Sequence, residues 1–424
     1  MINDFSYLDP LYGKVEFDSV MTKLIFSPAM QRLRHVSLSN IDSLDLPGIA
    51  KTTRFEHSLG VAALVQNLGM YKELDSNQKY ILLASALLHD WAITPFGHLV
   101  EEAYQYTGKE YNHELKPLLL SGNITGDLGG INTQILEGRE ASINKWISSA
   151  FNKAAQETSL NQILSAIHGE GRFGKLLAGD FDLDNLDNIW RIAYHLGLKC
   201  NRHLPVKIAK SIIRIDSETN FPVFKKDAEN YLQDWSDIRR EVYNRLMLAP
   251  NDFIGKAMVI YSTVKHLEST QEDWQWKFTE YEFINKLRAA TDKIASTTMC
   301  RWLAGELWSS SPLIWLNGQR PKFSEIYLFS KVLSNALSRE VFCYAIKDKR
   351  ERSFTVIFND KTRAVYGSNP SQWLIGATSP KNVAFSKKEV DLFVASACNF
   401  FNTSQITDIE NRKCQKKQMQ LTLI

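Results

Sequence analysis

The hydrophobic positions along this chain repeat mostly at the three-to-four-residue spacing of amphipathic helices. An apolar face begins at His57 and continues to Leu68, and a denser apolar run covers residues 80–88. Asp75 offers a side-chain cap for the start of the second segment. The pattern therefore predicts two consecutive helices, with His57 in the first turn of one and the pair His89–Asp90 at the end of the next.

Helical periodicity returns further along the chain. After Pro95 and Gly97 interrupt the pattern, we expect a short helix over residues 98–106. An amphipathic helix should follow Asp182, which is a suitable N-cap, and should stop near Gly197. Further helices are expected over 27–36, 142–155, 160–168, 228–267 with a kink at Pro250, and 273–309. The chain should be mainly α-helical.

The pattern changes after about residue 315. Residues 354–358 and 364–366 read as strands around a turn at 359–360, and 373–375 as another strand. We therefore expect a helical domain over residues 1–315, with its chemistry within 54–190, and a small C-terminal α+β region over 316–424.

Composition changes this picture little. The chain has 424 residues, 44% apolar and 23% charged, with a formal net charge of +3, which is ordinary for a globular protein. No apolar run is long enough for a membrane helix, the N-terminus does not resemble a signal peptide, and the five cysteines include no CxxC. These features indicate a cytoplasmic protein without a membrane partner. The small charge does not demand nucleic acid, and the basic run over 412–417 is more typical of a solvated chain end.

The pair His89–Asp90 is the first sign of chemistry. A histidine and an aspartate at the end of a buried helix are costly unless they are paired, and a metal ion is the simplest partner. Antiparallel packing of the two predicted helices would bring His57 close to that pair, and Asp184 could complete the set. Two imidazoles and two carboxylates suit Mn²⁺, Mg²⁺, Fe²⁺, Co²⁺ or Zn²⁺. Taken singly, each residue is more often a helix cap or a satisfied core group.

Several segments together resemble a known family. Residues 54–61 (RFEHSLGV), 89–90 (HD), 95–98 (PFGH) and 182–187 (DLDNLD) resemble the ordered motifs of the HD-domain phosphohydrolases, in the deoxynucleoside triphosphate triphosphohydrolase branch. Residues 9–13 (DPLYG) and 31–34 (QRLR) are similar to the N-terminal motifs of that branch. The resemblance implies an HD-domain helical bundle with one divalent metal ion on His57, His89, Asp90 and Asp184.

The resemblance also implies an activity. A nucleoside triphosphate would be attacked at the α-phosphorus by a metal-activated water, releasing triphosphate and a nucleoside. His98 is the implied catalytic histidine, with Glu101 as its acid partner and His113–Glu114 as a second element of the same pocket. Arg54 is the implied phosphate contact. Among the residues themselves, Arg172 and Lys175 are weaker phosphate candidates, because a solvated basic face explains them better.

Some positions depart from the family pattern. Ile93 stands where relatives have a histidine, and Leu38, Asn188 and Ile192 replace polar or aromatic groups that read the sugar. The alternatives are therefore a different HD nucleotidase, a cyclic-nucleotide phosphodiesterase, or a nucleotide-sensing regulatory protein with weak catalysis. The resemblance further implies a homo-oligomer and a nucleotide activator, and it suggests a role in defence against phage.

Overall fold

The computed structural model describes residues 4–39, 44–49, 51–109, 111, 113, 143–270, 278–350, 352–368 and 371–406. The chain begins with an antiparallel hairpin, β1 (Phe5–Asp9) and β2 (Gly13–Phe17). Two short helices follow, α1 (Ser19–Ile25) and α2 (Pro28–Arg32), the second extended by a 3₁₀ turn, Leu33–His35. This N-terminal segment covers one side of the helical core.

The core is built on two helices, α3 (Arg54–Gln66) and α4 (Ser76–Leu88). The Thr53 side chain caps the first, and Asp75 forms a capping box with Gln78 at the start of the second. Both helices are buried almost all round, which matches their dense apolar sequence. They pack against each other, so the start of α3 lies beside the end of α4.

The remaining helices surround this pair. They are α5 (His98–Tyr106), α6 (Ile143–Ala150), α7 (Gln156–Ile167), α8 (Gly171–Leu177), α9 (Leu183–His195), α10 (Leu204–Ser211), α11 (Glu229–Leu248), α12 (Pro250–Ser269), α13 (Glu280–Arg288) and α14 (Lys293–Leu303). Among them, α9 packs directly on α3. This contact brings the acidic 182–187 segment to the start of α3.

Two sheets lie beside the helices. The first has the order β3 (Ile212–Ile215), β4 (Pro222–Phe224), β8 (Phe354–Phe358) and β9 (Arg363–Tyr366), and β4 pairs with β8 in parallel. The second contains β5 (Ser309–Ser310), β6 (Ile314–Asn317), β7 (Phe342–Lys347), β10 (Gln372–Ser379) and β11 (Gln405–Ile406). Two helices, α15 (Phe323–Ala336) and α16 (Lys387–Phe400), complete the C-terminal region. One hydrophobic core includes residues of both regions.

The expectation of a mainly helical chain with C-terminal strands is confirmed. The strands over 354–358, 364–366 and 373–375 are present, and Pro250 begins a new helix because proline fits the first helical turn. The sequence did not reveal the 5–17 hairpin or the strands near 212–224. No helix in the described part of the chain is long and apolar enough to cross a membrane.

A buried guanidinium shapes the loop between α4 and α5. The Arg32 Nη2 donates to the carbonyls of Trp91 and Ile93, each at 2.8 Å, and Nη1 donates to the Phe278 carbonyl at 3.1 Å. Burial lowers the pKa of Arg32 to about 10, which still leaves it charged at neutral pH. Arg32 therefore fixes the path of the chain from the His89–Asp90 pair to α5.

Replacing Arg32 tests this anchor. Arg32→Met should lower the free energy of unfolding by about 3 kcal/mol, because buried carbonyls lose their donors. Arg34 is exposed and serves as the matched control, so Arg34→Met should stay within about 0.5 kcal/mol of wild type. Urea denaturation followed by circular dichroism measures both values. Equal stability of the two variants would contradict the anchoring role.

Candidate functional site

The four predicted metal ligands lie near one another where α3, α4 and α9 meet. The Nε2 atoms of His57 and His89 are 3.2 Å apart. Asp184 Oδ1 lies 2.9 Å from the first of these nitrogens and 3.7 Å from the second. Asp90 Oδ2 lies 3.9 Å from the His57 Nε2 and 3.5 Å from the His89 Nε2. Ligand atoms of His57, His89 and Asp90 thus all lie within 4.8 Å of one another, and Asp184 adds a carboxylate that lies near both histidines.

The opposite nitrogen of each imidazole is already occupied. His57 Nδ1 donates to Asp187 Oδ2 at 2.7 Å, and His89 Nδ1 donates to the Ala86 carbonyl at 2.8 Å. These bonds direct the Nε2 lone pairs of both rings toward each other. Two lone pairs at 3.2 Å repel unless a cation or a proton lies between them. Carbonyl or carboxylate support of the distal nitrogen is the usual arrangement of a metal-binding histidine.

The charge around His57 favours a cation. Burial disfavours the charged imidazole, yet hydrogen bonds to Asp184 and Asp187 outweigh burial and raise the pKa of His57 to about 9. The same carboxylates would stabilise a divalent ion in place of that proton. The residues therefore fit one divalent metal ion, and the donor set leaves its identity open.

Asp187 is held by a buried ion-pair network. It receives hydrogen bonds from the Tyr12 hydroxyl at 2.6 Å and from Arg191 Nε and Nη2 at 3.0 and 2.8 Å. Burial would raise its pKa, but Arg191 and His57 hold the pKa of Asp187 well below its usual range. Asp187 is therefore an ionised support for His57 and not a ligand itself.

Arg191 ties this network to the N-terminal hairpin. It also donates to Asp9 Oδ2 at 3.0 Å and to Glu56 Oε1 at 2.7 Å, and its side chain is fully buried. Gly60 makes the close approach possible, because a Cβ at that position would collide with the side chains of Asp187 and Arg191. The structure thus gives the N-terminal DPLYG segment a function in supporting the candidate metal site.

Arg54 is paired with one of the candidate ligands. Its Nη1 donates to Asp90 Oδ2 at 2.7 Å, and both side chains are buried. Burial opposes ionisation of Asp90, but Arg54 and the neighbouring histidines keep the pKa of Asp90 well below its usual value. The Arg54 Nε has no hydrogen-bond partner among the described atoms. The guanidinium is therefore held by Asp90, and Arg54 also lines the cavity.

A second cluster lies next to the first. Glu101 accepts from His98 Nδ1 at 2.8 Å and from His113 Nδ1 at 2.7 Å, so one carboxylate orients two imidazoles. Burial raises the pKa of Glu101, but the two histidines more than compensate and lower it far below its usual value. His113 Nε2 lies 3.7 Å from Asp90 Oδ1, which links the two clusters. The His98 side chain is 42% exposed and faces the cavity.

Both clusters open into one cavity of about 950 Å³. Arg54, His89, Asp90, His98, His113 and Asp184 line it. Ile49, Ile167 and Leu177 give it an apolar part. Its volume lies at the upper end of the range for small-molecule sites.

Of the other residues singled out in the sequence, only some line the cavity. Arg172 and Lys175 lie on α8 and are not among the described residues that line the cavity. Glu114 lies outside the described residues. Ile93 is fully buried and does not line the cavity, whereas Leu38, Asn188 and Ile192 do.

Sequence reasoning missed several residues of the site. Tyr12, Asp187 and Arg191 support His57, although each lies in or beside a quoted motif. The cavity also contains basic residues from distant segments, for which no spacing pattern gives a signal: Arg239, Lys256, Arg320, Lys347, Lys349 and Arg352.

Comparison with known proteins agrees with the geometry. Residues 54–164 match the sequence model of the family described as the HD domain. An uncharacterized protein of Methanocaldococcus jannaschii is 24% identical over 267 residues, which is 62% of this chain and 50% of that protein. The uncharacterized protein YwfO of Bacillus subtilis is 24% identical over 279 residues, covering 64% of this chain and 58% of the relative.

Other relatives have names that state an activity. Deoxynucleoside triphosphate triphosphohydrolase SAMHD1 of Gallus gallus is 28% identical over 216 residues, which is 46% of this chain and 34% of that protein. The chain thus spans between about a third and three fifths of the length of these relatives. This chain contains an HD domain, and the resemblance inferred from its motifs is confirmed. Its relatives include the deoxynucleoside triphosphate triphosphohydrolases at modest identity.

Removing one candidate ligand tests the metal site. Asp184→Ala should abolish metal binding, because it deletes a carboxylate that faces both histidines. Asp180→Ala is the matched control, since Asp180 is exposed, lines the same cavity and contacts neither histidine through a described hydrogen bond. Plasma mass spectrometry of the purified proteins gives the metal content. Full metal occupancy in Asp184→Ala would show that Asp184 is not a metal ligand.

A supporting residue gives a second test. Asp187→Asn should weaken Mn²⁺ binding by about 10- to 100-fold without deleting a ligand, because His57 loses the carboxylate that fixes its tautomer. Calorimetric titration of Mn²⁺ measures the affinity, and circular dichroism checks that the variant is folded. An unchanged affinity in a folded variant would show that Asp187 does not tune the site.

Proposed function

We propose that this protein is a metal-dependent phosphohydrolase whose substrate is a nucleotide. The observation that carries the proposal is the pair of Nε2 atoms, 3.2 Å apart, facing Asp90 and Asp184 beside a cavity large enough for a nucleotide. The HD-domain match supports the same reaction class. His57, His89, Asp90 and Asp184 would hold the ion. A divalent ion in such a set supplies Lewis acidity toward phosphate and lowers the pKa of water.

The protein side chains supply the proton and its control. His98 presents its second nitrogen to the cavity, while its Nδ1 is bound to the ionised Glu101. This carboxylate orients the imidazole, so His98 is positioned to deliver a proton to a leaving oxygen. His113 shares the carboxylate and fixes its orientation. Arg54 lines the cavity and is the candidate contact for a phosphate oxygen.

The specific form of the proposal is a deoxynucleoside triphosphate triphosphohydrolase, releasing triphosphate and a nucleoside. It is supported by the relatives that bear this name and by the ordered motifs. One observation favours a different nucleotide as the second candidate. Leu38 and Ile192 line the cavity without offering a hydrogen bond to a sugar hydroxyl, so these positions give no source of deoxyribose selectivity. Asn188 Oδ1, by contrast, is a buried acceptor without a partner among the described residues.

Product analysis tests the proposal. The purified protein is incubated with Mn²⁺ or Mg²⁺ and a panel of dNTPs, NTPs and cyclic nucleotides, and the products are resolved by chromatography. Triphosphate and nucleoside are the expected products. Monophosphate products would replace the specific form with another nucleotide phosphohydrolase, and nucleotide binding without turnover would favour a regulatory sensor.

His98→Gln tests the proton donor. We expect kcat to fall by about 10²- to 10⁴-fold while metal content stays at the wild-type level, because His98 is not among the proposed ligands. Steady-state kinetics and mass spectrometry provide the two readouts. A wild-type kcat in His98→Gln would exclude His98 as the general acid. Loss of metal in this variant would indicate that His98 is a metal ligand.

A further inference from the structure

The cavity has two chemically different walls. The wall formed by the HD-domain helices contains the candidate metal ligands and His98. The other wall includes residues of the C-terminal region, from the segment before α15, from β7 and from the loop that follows β7. This second wall lies outside residues 54–164, which match the HD-domain model.

Three cations of the second wall form no ion pair within the described residues. They are Arg320, Lys347 and Lys349, which all line the cavity, and Arg320 Nη1 donates to the Pro321 carbonyl at 3.3 Å. The cavity's other cations have ion-pair or carbonyl partners. Arg54 pairs with Asp90 and Lys256 with Asp252, while Arg239 and Arg352 donate to backbone carbonyls.

Two of the three cations, Arg320 and Lys349, lie near the same carboxylate as His98. Glu102 follows Glu101 on α5, and its carboxylate accepts from the Tyr344 hydroxyl of β7 at 3.1 Å. Burial raises the pKa of Glu102, and the charges of Lys349, Arg320 and His98 all oppose that rise. The two cations and the candidate proton donor therefore surround the same carboxylate.

The backbone that carries the lysines is fixed. Arg239 Nη1 donates to the Lys349 carbonyl at 2.6 Å, and the Asp348 carboxylate accepts from Gln372 Nε2 at 2.6 Å. Lys347 ends β7 and Lys349 follows two residues later, and both are exposed whereas Asp348 between them is buried. Arg320 lies flat on Phe323, with its guanidinium 3.7 Å from the ring centroid, so its orientation is also restricted.

We propose that Arg320, Lys347 and Lys349 form a polyphosphate-binding wall, by which the C-terminal region binds the phosphate chain of the substrate. Like charges that share a cavity repel one another, and an anion with several charges relieves that repulsion. A linear triphosphate carries more negative charge than a single phosphate and spans a greater length, so it can contact cations that lie farther apart. The substrate class is therefore a nucleoside polyphosphate. The nucleotide part of this inference rests on the proposed function, but triphosphate binding does not require catalysis.

Binding of inorganic triphosphate tests the wall directly. Calorimetric titrations use the full-length protein at a fixed excess of Mg²⁺, with inorganic triphosphate and inorganic phosphate as the two probes. Lys347→Gln/Lys349→Gln and Arg320→Gln should each weaken triphosphate binding by about tenfold or more, and should reduce its dependence on salt. The matched control, Lys387→Gln/Lys388→Gln, removes the same charge from exposed positions on α16 that do not line the cavity.

The outcomes separate this inference from the proposed function. Wild-type triphosphate affinity in the wall variants, or an equal loss in the control, would overturn the wall. Equal affinity of wild type for phosphate and triphosphate would overturn its polyphosphate character. If the wall variants lose triphosphate while no nucleotide is hydrolysed by any form, the wall stands and the proposed function fails. Hydrolysis with an unchanged KM in the wall variants would overturn the wall alone.

Discussion

The candidate metal centre depends on the burial of one positive charge. Arg191 lies fully buried between three carboxylates, those of Asp9, Glu56 and Asp187. Arg191 and His57 keep Asp187 ionised, and its carboxylate accepts from His57 Nδ1. This hydrogen bond keeps the proton on His57 Nδ1 and directs the lone pair of Nε2 toward the other candidate ligands. Removing either partner of such a buried pair leaves an uncompensated charge, which is strongly destabilising.

The first turns of α3 combine several functions at helical spacing. Arg54 pairs with a candidate ligand, Glu56 accepts from Arg191, His57 is a candidate ligand and Gly60 leaves room for the network. Because residues three and four apart lie on one helical face, His57 and Gly60 both face α9. The motif at residues 54–61 therefore contains the residues that α3 needs to pack on α9, although the two helices are far apart in sequence.

The predictability of the site follows from this difference between local and distant contacts. The helices α3 and α4 and the candidate ligands were accessible from the sequence, since periodicity, caps and ordered motifs are local signals. The support that Asp9, Tyr12 and Arg191 give to His57 through Asp187 could not be predicted from the sequence, because only tertiary packing joins the hairpin to α9. Arg172 and Lys175 were chosen for being near the Asp182–Asp187 segment in sequence, whereas most of the cavity's cations lie on α11, on α12 and in the C-terminal region. Proximity along the chain was a poor guide to which cations share a cavity.

The parallel pairing of β4 with β8 has a consequence for how the chain reaches this structure. β4 precedes α11 and α12 and pairs with the adjacent β3 on one side, yet its partner on the other side comes from the C-terminal region. A strand whose partner lies so far along the chain must wait for loop closure, which slows folding. During synthesis, the helical core emerges from the ribosome with the edge of β4 still unpaired. Since exposed strand edges promote aggregation, the C-terminal region protects the helical core during folding as well as completing the cavity.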